Sequence, residues 1–181
     1  MKCVILAMSG LLFLTATSSA QLPGTIGVYA DEGGTDCNVV DDGGIFQAHI
    51  LHVRTTGATA AVFKLDISAT EWTYLGESWD FGLIIGNAVE GISISYRACY
   101  SGTFHLGYAS FTGSSAPACT EISIVPSWHS LIGEIEVTDC EVWPEAMIAR
   151  GGRAFVNANR TCQCVLPVNE TTWGGVKALY N

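Results

Sequence analysis

EGISISYRACYSGTFHLGYASFTGSSAPACTEISIVPSWHSLIGEIEVTD, residues 90–139, decides the fold. Apolar residues alternate with polar ones in four runs: Ile92, Ile94 and Tyr96; Phe104, Leu106 and Tyr108; Ile122 and Ile124; Ile135 and Val137. A period of two gives each strand one buried face. Turn-forming stretches separate the runs at Tyr100-Ser101-Gly102, at Gly113-Ser114-Ser115 and from Pro126 to Gly133. The pattern predicts four antiparallel strands joined by hairpins. Such a sheet must bury its apolar face, so the flanking chain has to supply a second sheet. The expected fold is all-β: a single, disulfide-bonded antiparallel β-sandwich.

The same stretch suggests a disulfide. Opposed residues of an antiparallel hairpin have a constant index sum, and pairing Ile122 with Val137 and Ile124 with Ile135 gives 259 both times. Cys119 and Cys140 also sum to 259, which predicts a Cys119–Cys140 bridge just past the ladder's end. Opposed strand residues hold their Cβ atoms about 4.5 to 5.5 Å apart, close to what a disulfide needs.

Upstream, Thr25 to Ala30 is an expected strand. Residues 31–44 form a Gly-rich loop with Asp31, Glu32, Asp36, Asp41 and Asp42. Ile45 to Arg54 is a long strand whose apolar phase slips by one residue, from Phe46, Ala48 and Ile50 to Leu51 and Val53. The slip predicts a β-bulge near Ile50-Leu51, with Gln47, His49, His52 and Arg54 outward. Thr55-Thr56-Gly57 is a turn, and Ala61 to Ile67 a strand with Phe63, Leu65 and Ile67 inward. Residues 70–90 are irregular and aromatic, with a short strand at Leu83 to Ile85. Downstream, Met147 to Ala149 and Ala154 to Val156 read as a last hairpin. In the tail, Thr171 or Thr172 caps a short helix or turn over 172–180, with Trp173, Val176, Leu179 and Tyr180 at helical spacing.

Residues 1–20 have the form of a signal peptide: Lys2, an apolar run from Val4 to Leu14, and Ser18-Ser19-Ala20 at the cleavage position. The run is too short to span a bilayer stably. The expected mature domain is 21–181, secreted or at the cell surface, with no membrane span after cleavage. It keeps seven basic residues against 17 acidic, a net charge of −10. That charge disfavours nucleic acid and anionic membranes as partners. Losing Cys3 leaves Cys37, Cys99, Cys119, Cys140, Cys162 and Cys164. An even count in an exported chain predicts three disulfides. Cys162 and Cys164 lack zinc-site spacing and are expected to bond Cys37 and Cys99, in an order the sequence leaves open.

The candidate chemistry is sparse. Clustered carboxylates at Asp31, Asp36, Asp41 and Asp42 could hold calcium, but their spacing is not that of an EF-hand. The alternative is a solvated loop with Asx turns, so no cofactor is expected beyond that one option. Glu134 and Glu136 share a strand face, and with Ile135 and Val137 inward both carboxylates should be solvated. His49, His52, His105 and His129 accompany no Gly-x-Ser-x-Gly nucleophile elbow. The chain therefore reads as non-catalytic. Trp72, Tyr74, Trp79 and Trp128 fall mostly outside the clean strands and are the candidate ligand-binding residues. Loop aromatics can stack on sugars or partners, or plug the open ends of a sandwich.

Residues Ala58 to Val137 resemble the cohesin and carbohydrate-binding-module β-sandwich group. The likeness lies in the Ala-rich turn before Phe63-Lys64-Leu65-Asp66-Ile67, the irregular aromatic segment, and Gly91-Ile92-Ser93-Ile94-Ser95-Tyr96 leading into a long strand. It implies an Ig-like or cohesin-like layout and an extracellular binding or scaffold module, and carries over no site residue. Thr172 to Tyr180, TWGGVKALY, resembles the endings of small exported bacterial proteins of unknown function, which implies a bacterial source. The sequence reading is an exported non-catalytic protein that binds or builds extracellular material, its partner an extracellular protein or a glycan. Two alternatives stay open: a carbohydrate-binding protein or carbohydrate-active enzyme using the loop aromatics, and a calcium-stabilised surface or filament subunit.

Overall fold

The computed structural model describes residues 22–67, 69 and 72–164. The expected signal peptide with its cleavage site and the expected helix or turn over 172–180 lie outside the described residues.

Two long strands dominate. β3 (Ile45–Ile67) and β6 (Gly91–Thr112) pair antiparallel from Ile45↔Thr112 to Phe63↔Ile92. The sequence places turns inside both, at Thr55-Thr56-Gly57 and Tyr100-Ser101-Gly102. The chain does not reverse there; the ribbon bends. Register shifts fall between His52 and Thr55, Thr55 and Ala58, and Ala58 and Ala60. Arg54 (φ 58°), Arg97 (φ 61°) and Gly102 (φ 88°) take left-handed backbone at the corner, as bulged and sharply bent strands do.

The bend makes two layers from one ribbon. In the first, β1 (Thr25–Tyr29) flanks β3 and β4 (Thr73–Trp79) flanks β6, along rows such as Tyr29↔His49↔Tyr108↔Ser78. In the second, β5 (Leu83–Asn87) flanks β6, while β8 (Glu136–Thr138) and then β9 (Ala146–Ile148) flank β3. Phe63 of the second layer meets Trp79 of the first edge-on at 6.2 Å, and Tyr96 meets His52 at 6.0 Å. The end of β3 continues into a further sheet through β7 (Thr120–Val125), β11 (Arg153–Val156) and β2 (Asn38–Val39); β10 (Arg150–Gly151) pairs parallel to β1. Among the described residues there is no helix. The core holds Ile26, Ile50, Phe63, Leu65, Ile92, Ile94, Leu106, Phe111 and Ile122 at 0–1% exposure. Each such side chain stabilises by roughly 1.5–3 kcal/mol. The fold is the expected disulfide-bonded β-sandwich, laid out differently.

Four expectations are corrected. First, β7 and β8 do not form a hairpin. Both pair with β3, end to end along one edge, Lys64↔Val125 following Val62↔Glu136. The index-sum argument assumed a ladder that is absent, so the Cys119–Cys140 bridge is absent too. Cys99 bonds Cys140, Cys119 bonds Cys162 and Cys37 bonds Cys164, with Cα–Cα distances of 5.5, 5.6 and 6.0 Å. Cys164 thus has one of its two expected partners, and Cys162 neither. Second, the register shift at Ile50/Leu51 is present, but the extra residue is Leu106 on β6. β3 keeps its phase, so His52 follows Phe46, Ala48 and Ile50 inward, fully buried. Leu51 is buried on the opposite face, where the loop at Gly34 covers it. Third, Glu136 is buried, not solvated; its carboxylate accepts from Ser130 Oγ (3.1 Å) and the Leu131 N–H (3.0 Å). Fourth, residues 146–148 and 153–156 do not pair with each other: β9 joins β8, and β11 joins β7 and β2.

Candidate functional site

The outer face of the second layer spans five strands and carries exposed apolar side chains. Two rows cross five strands. One runs Leu83, Ser95, Ala60, Thr138, Ala146, and the next Ile85, Ser93, Val62, Glu136, Ile148. The alternate row between them, Ile84, Ile94, Ala61, Val137 and Met147, points into the core. Leu83, Ile85 and Ile148 are 56%, 60% and 60% exposed. The one charged residue in these rows, Glu136, is capped by the 127–133 loop through its bonds to Ser130 and Leu131. That loop forms the rim. Trp128 projects from it, 75% exposed and stacked on His129 at 3.7 Å. A side chain at Gly91 would strike Ser127, Trp128 and His129, so glycine is what lets the loop lie this close to the β5–β6 turn. Leu131 and Ile132 are also exposed there.

The other aromatic candidates do not join Trp128. Trp72 is buried between Phe46 (5.2 Å) and Phe111 (6.3 Å). Tyr74 packs on Phe111 and donates to Glu77 at 2.7 Å; burial first, and then Glu77, raises its pKa. Trp79 packs on Phe63 across the layers. These rings fill the sandwich and leave no flat aromatic row for a sugar. The signal that separates them was strand phase: Trp72, Tyr74 and Trp79 border or belong to β4, which the irregular sequence concealed.

The four acidic candidates are likewise divided. Asp31 folds its own loop, accepting from the N–H groups of Thr35 (2.9 Å) and Asp36 (2.7 Å). Burial pushes its pKa up, but these donors outweigh it and hold the carboxyl below its usual range. Asp36 accepts from Asn38, and Asp42 is exposed. Asp41 is buried and accepts from Trp72 Nε1 (2.9 Å), the Ala116 N–H (2.8 Å) and the Gly43 N–H (2.9 Å). Burial raises its pKa, and these bonds more than reverse the effect. The calcium cluster is not assembled. Among the described residues no three His, Cys, Asp or Glu side chains gather as a metal group. Asp41 and Trp72, two separate site candidates in the sequence, are partners in one structural knot.

A half-open cleft of about 470 Å³ lies between β1 and β11, beside the Cys37–Cys164 bridge. Among the described residues its lining includes Arg153 and neither a carboxylate nor an imidazole. Three histidines sit elsewhere. His52 joins Pro23 O (2.7 Å) to the Tyr96 hydroxyl (3.2 Å) inside the core. On the outer face of the first layer, His49 Nδ1 meets His105 Nε2 at 3.0 Å, and His105 Nδ1 meets Asp80 at 2.8 Å.

No family model and no curated protein matches the sequence, and nothing found supports the likeness of residues 172–180 to exported bacterial proteins. Solved structures do match. A cohesin module of a family 33 glycoside hydrolase from Clostridium perfringens superposes with TM-score 0.51 at 10% identity, covering 75% of this chain and 98% of its own. The seventh ScaB type I cohesin of Pseudobacteroides cellulosolvens gives 0.50 at 12%, covering 78% and 96%. A chain of the CaDoc0917–CaCohA2 complex at pH 5.5 gives 0.50 at 13%, covering 73% and 98%. At such identities the likeness shows the fold: a cohesin-like β-sandwich.

Proposed function

We propose that this chain is an exported, non-catalytic binding module that docks a protein partner on the outer face of its β9–β8–β3–β6–β5 layer. The observation that carries the reading is the two-row face itself: five strands wide, with no uncovered charge and with exposed Leu83, Ile85 and Ile148. A protein surface excludes water from such a face more completely than a sugar does, and burying those side chains is the main gain. Lys64 continues the Ala60–Val62 side of β3 and Arg97 follows Ser95 on β6, but exposed Asp66, Glu134 and Glu145 border the same face, so charges of both signs surround the apolar centre. The partner is thus a protein with an apolar patch to match Leu83, Ile85 and Ile148. Export is supported by the leader's form and by three disulfides, which persist outside reducing compartments. The fold adds weight, since one structural neighbour was solved within a two-protein complex.

The test is capture from the extracellular fraction of the source organism. Immobilised protein should retain a partner that Ile85→Asp/Ile148→Asp protein loses at least tenfold, while Gln47→Asp, on the opposite layer, retains it. Equal capture by all three proteins would refute the assignment.

A further inference from the structure

We propose that His49 and His105 together bind one divalent transition-metal ion of the zinc–copper–nickel group, with Asp80 as the positioning carboxylate behind His105. This site is on the layer opposite the proposed partner face and does not depend on that reading.

His49 on β3 and His105 on β6 lie diagonally across the bulge that Leu106 creates. The inserted residue sets His105 opposite Leu51, and Nδ1 of His49 stands 3.0 Å from Nε2 of His105. Two nitrogens bound cis to one ion at about 2.0–2.1 Å stand roughly 3 Å apart, so the pair is already spaced as ligands. Each ring must turn to aim its lone pair at a shared ion in place of the facing nitrogen.

Asp80 fixes the tautomers. Its carboxylate, 2.8 Å from His105 Nδ1, accepts that N–H and leaves the His105 Nε2 lone pair facing His49. Without metal, His49 must then donate Nδ1–H to it, and its own Nε2 carries the free lone pair. Binding replaces that shared proton: the ion takes both facing lone pairs, and the Nδ1 proton of His49 is lost to solvent while one is taken up at Nε2. No net proton is released. A carboxylate behind a histidine ligand is the usual outer partner of a metal-bound imidazole, fixing ring orientation and raising basicity. Imidazole selects borderline metals over calcium or magnesium. With two protein ligands, water completes the coordination. The histidine ring of His105 is largely shielded while Asp80 is half exposed, at 12% and 54%, so the site opens at the surface and is held from beneath.

Calorimetric titration of the folded protein with zinc chloride should show saturable binding of one ion per chain. His49→Gln and His105→Gln should each weaken it at least tenfold, Asp80→Asn about tenfold, and His129→Gln not at all. In the unsubstituted protein, substoichiometric Cu²⁺ should broaden the ring proton resonances of His49 and His105 before those of His52 and His129. This second measurement stands even if a variant fails to fold. Absence of saturable zinc binding, zinc binding that survives both glutamine substitutions, or broadening centred on His129 would each overturn the proposal.

Discussion

Asp41 shows how one side chain can hold three loops. Its carboxylate gathers Gly43, Ala116 and the Trp72 indole, while Asn157 accepts its N–H and donates to its carbonyl. Asp41→Ala leaves those donors unsatisfied in a buried setting and should lower stability by about 2–3 kcal/mol in urea denaturation. Its folded pKa lies below the ordinary 3.8. Its contribution is therefore fully present above that value and fades as pH falls through the lower folded pKa. Asp41→Asn protein should lack that part of the acid-side loss. His52 behaves as the base counterpart. Burial holds its pKa below 6.5, with the bond to Pro23 opposing. The unfolded chain then takes up a proton more readily than the folded one, so stability should drop as pH falls from 6.5 toward the lower folded pKa. Replacing His52 by Gln should flatten that part of the Tm–pH curve; an unchanged slope would show that His52 is not held neutral. Neither role was legible in the sequence. Asp41 looked like one of four equivalent acids, and His52 looked outward because Leu51 and Val53 mimic a phase change. Burial on both faces of β3 produces the same sequence pattern as a bulge.

At the scale of elements, what the sequence concealed was strand length. Alternation located the longer runs: Ile92–Tyr96 and Phe104–Tyr108 are both β-structure, the first with its expected inward face, while past the Leu106 bulge Tyr108 lies opposite His49 on the outer face; it missed β2, β4 and β10. It could not tell a turn from a bend, since Thr55-Thr56-Gly57 and Tyr100-Ser101-Gly102 carry turn-forming residues but are spent on corners within β3 and β6. Once β3 runs for 23 residues, its edge has room for β8 and β7 in succession. That removes the hairpin on which the Cys119–Cys140 inference stood. The Cys99–Cys140 bridge instead ties the ribbon's corner to the end of β8, closing a separation of 41 residues. In the chain-entropy view this is worth about 4 kcal/mol. Cys99→Ser/Cys140→Ser protein should lose about that much in denaturant unfolding. Peptide mapping of the intact protein should recover Cys99 with Cys140 and Cys119 with Cys162. Glu136 belongs to this scale too: Glu136→Ala should cost about 1–2 kcal/mol and release the rim loop, read as lost protection at the Leu131 amide.

Across the whole molecule, the ribbon's fold-over gives the two layers different surfaces. The first layer's outer face is overlaid by the 31–36 loop and carries the histidine pair. The second exposes Leu83, Ile85 and Ile148, has the one charge of its two rows, Glu136, capped by the rim loop, and is bordered by Trp128, Leu131 and Ile132. The sandwich class was legible because alternation and cysteine count depend only on local sequence. The proposed binding face was not, because it is assembled from residues 60–62, 83–85, 93–95, 136–138 and 146–148, none of which is distinctive alone. The central claim is that this face docks a protein. Hydrogen–deuterium exchange on the complex with the captured partner tests it most directly. The account predicts new protection in β5, in residues 93–95 of β6 and in the 127–133 loop, with β1 and β4 unchanged; protection confined to β1 and β4 would contradict it.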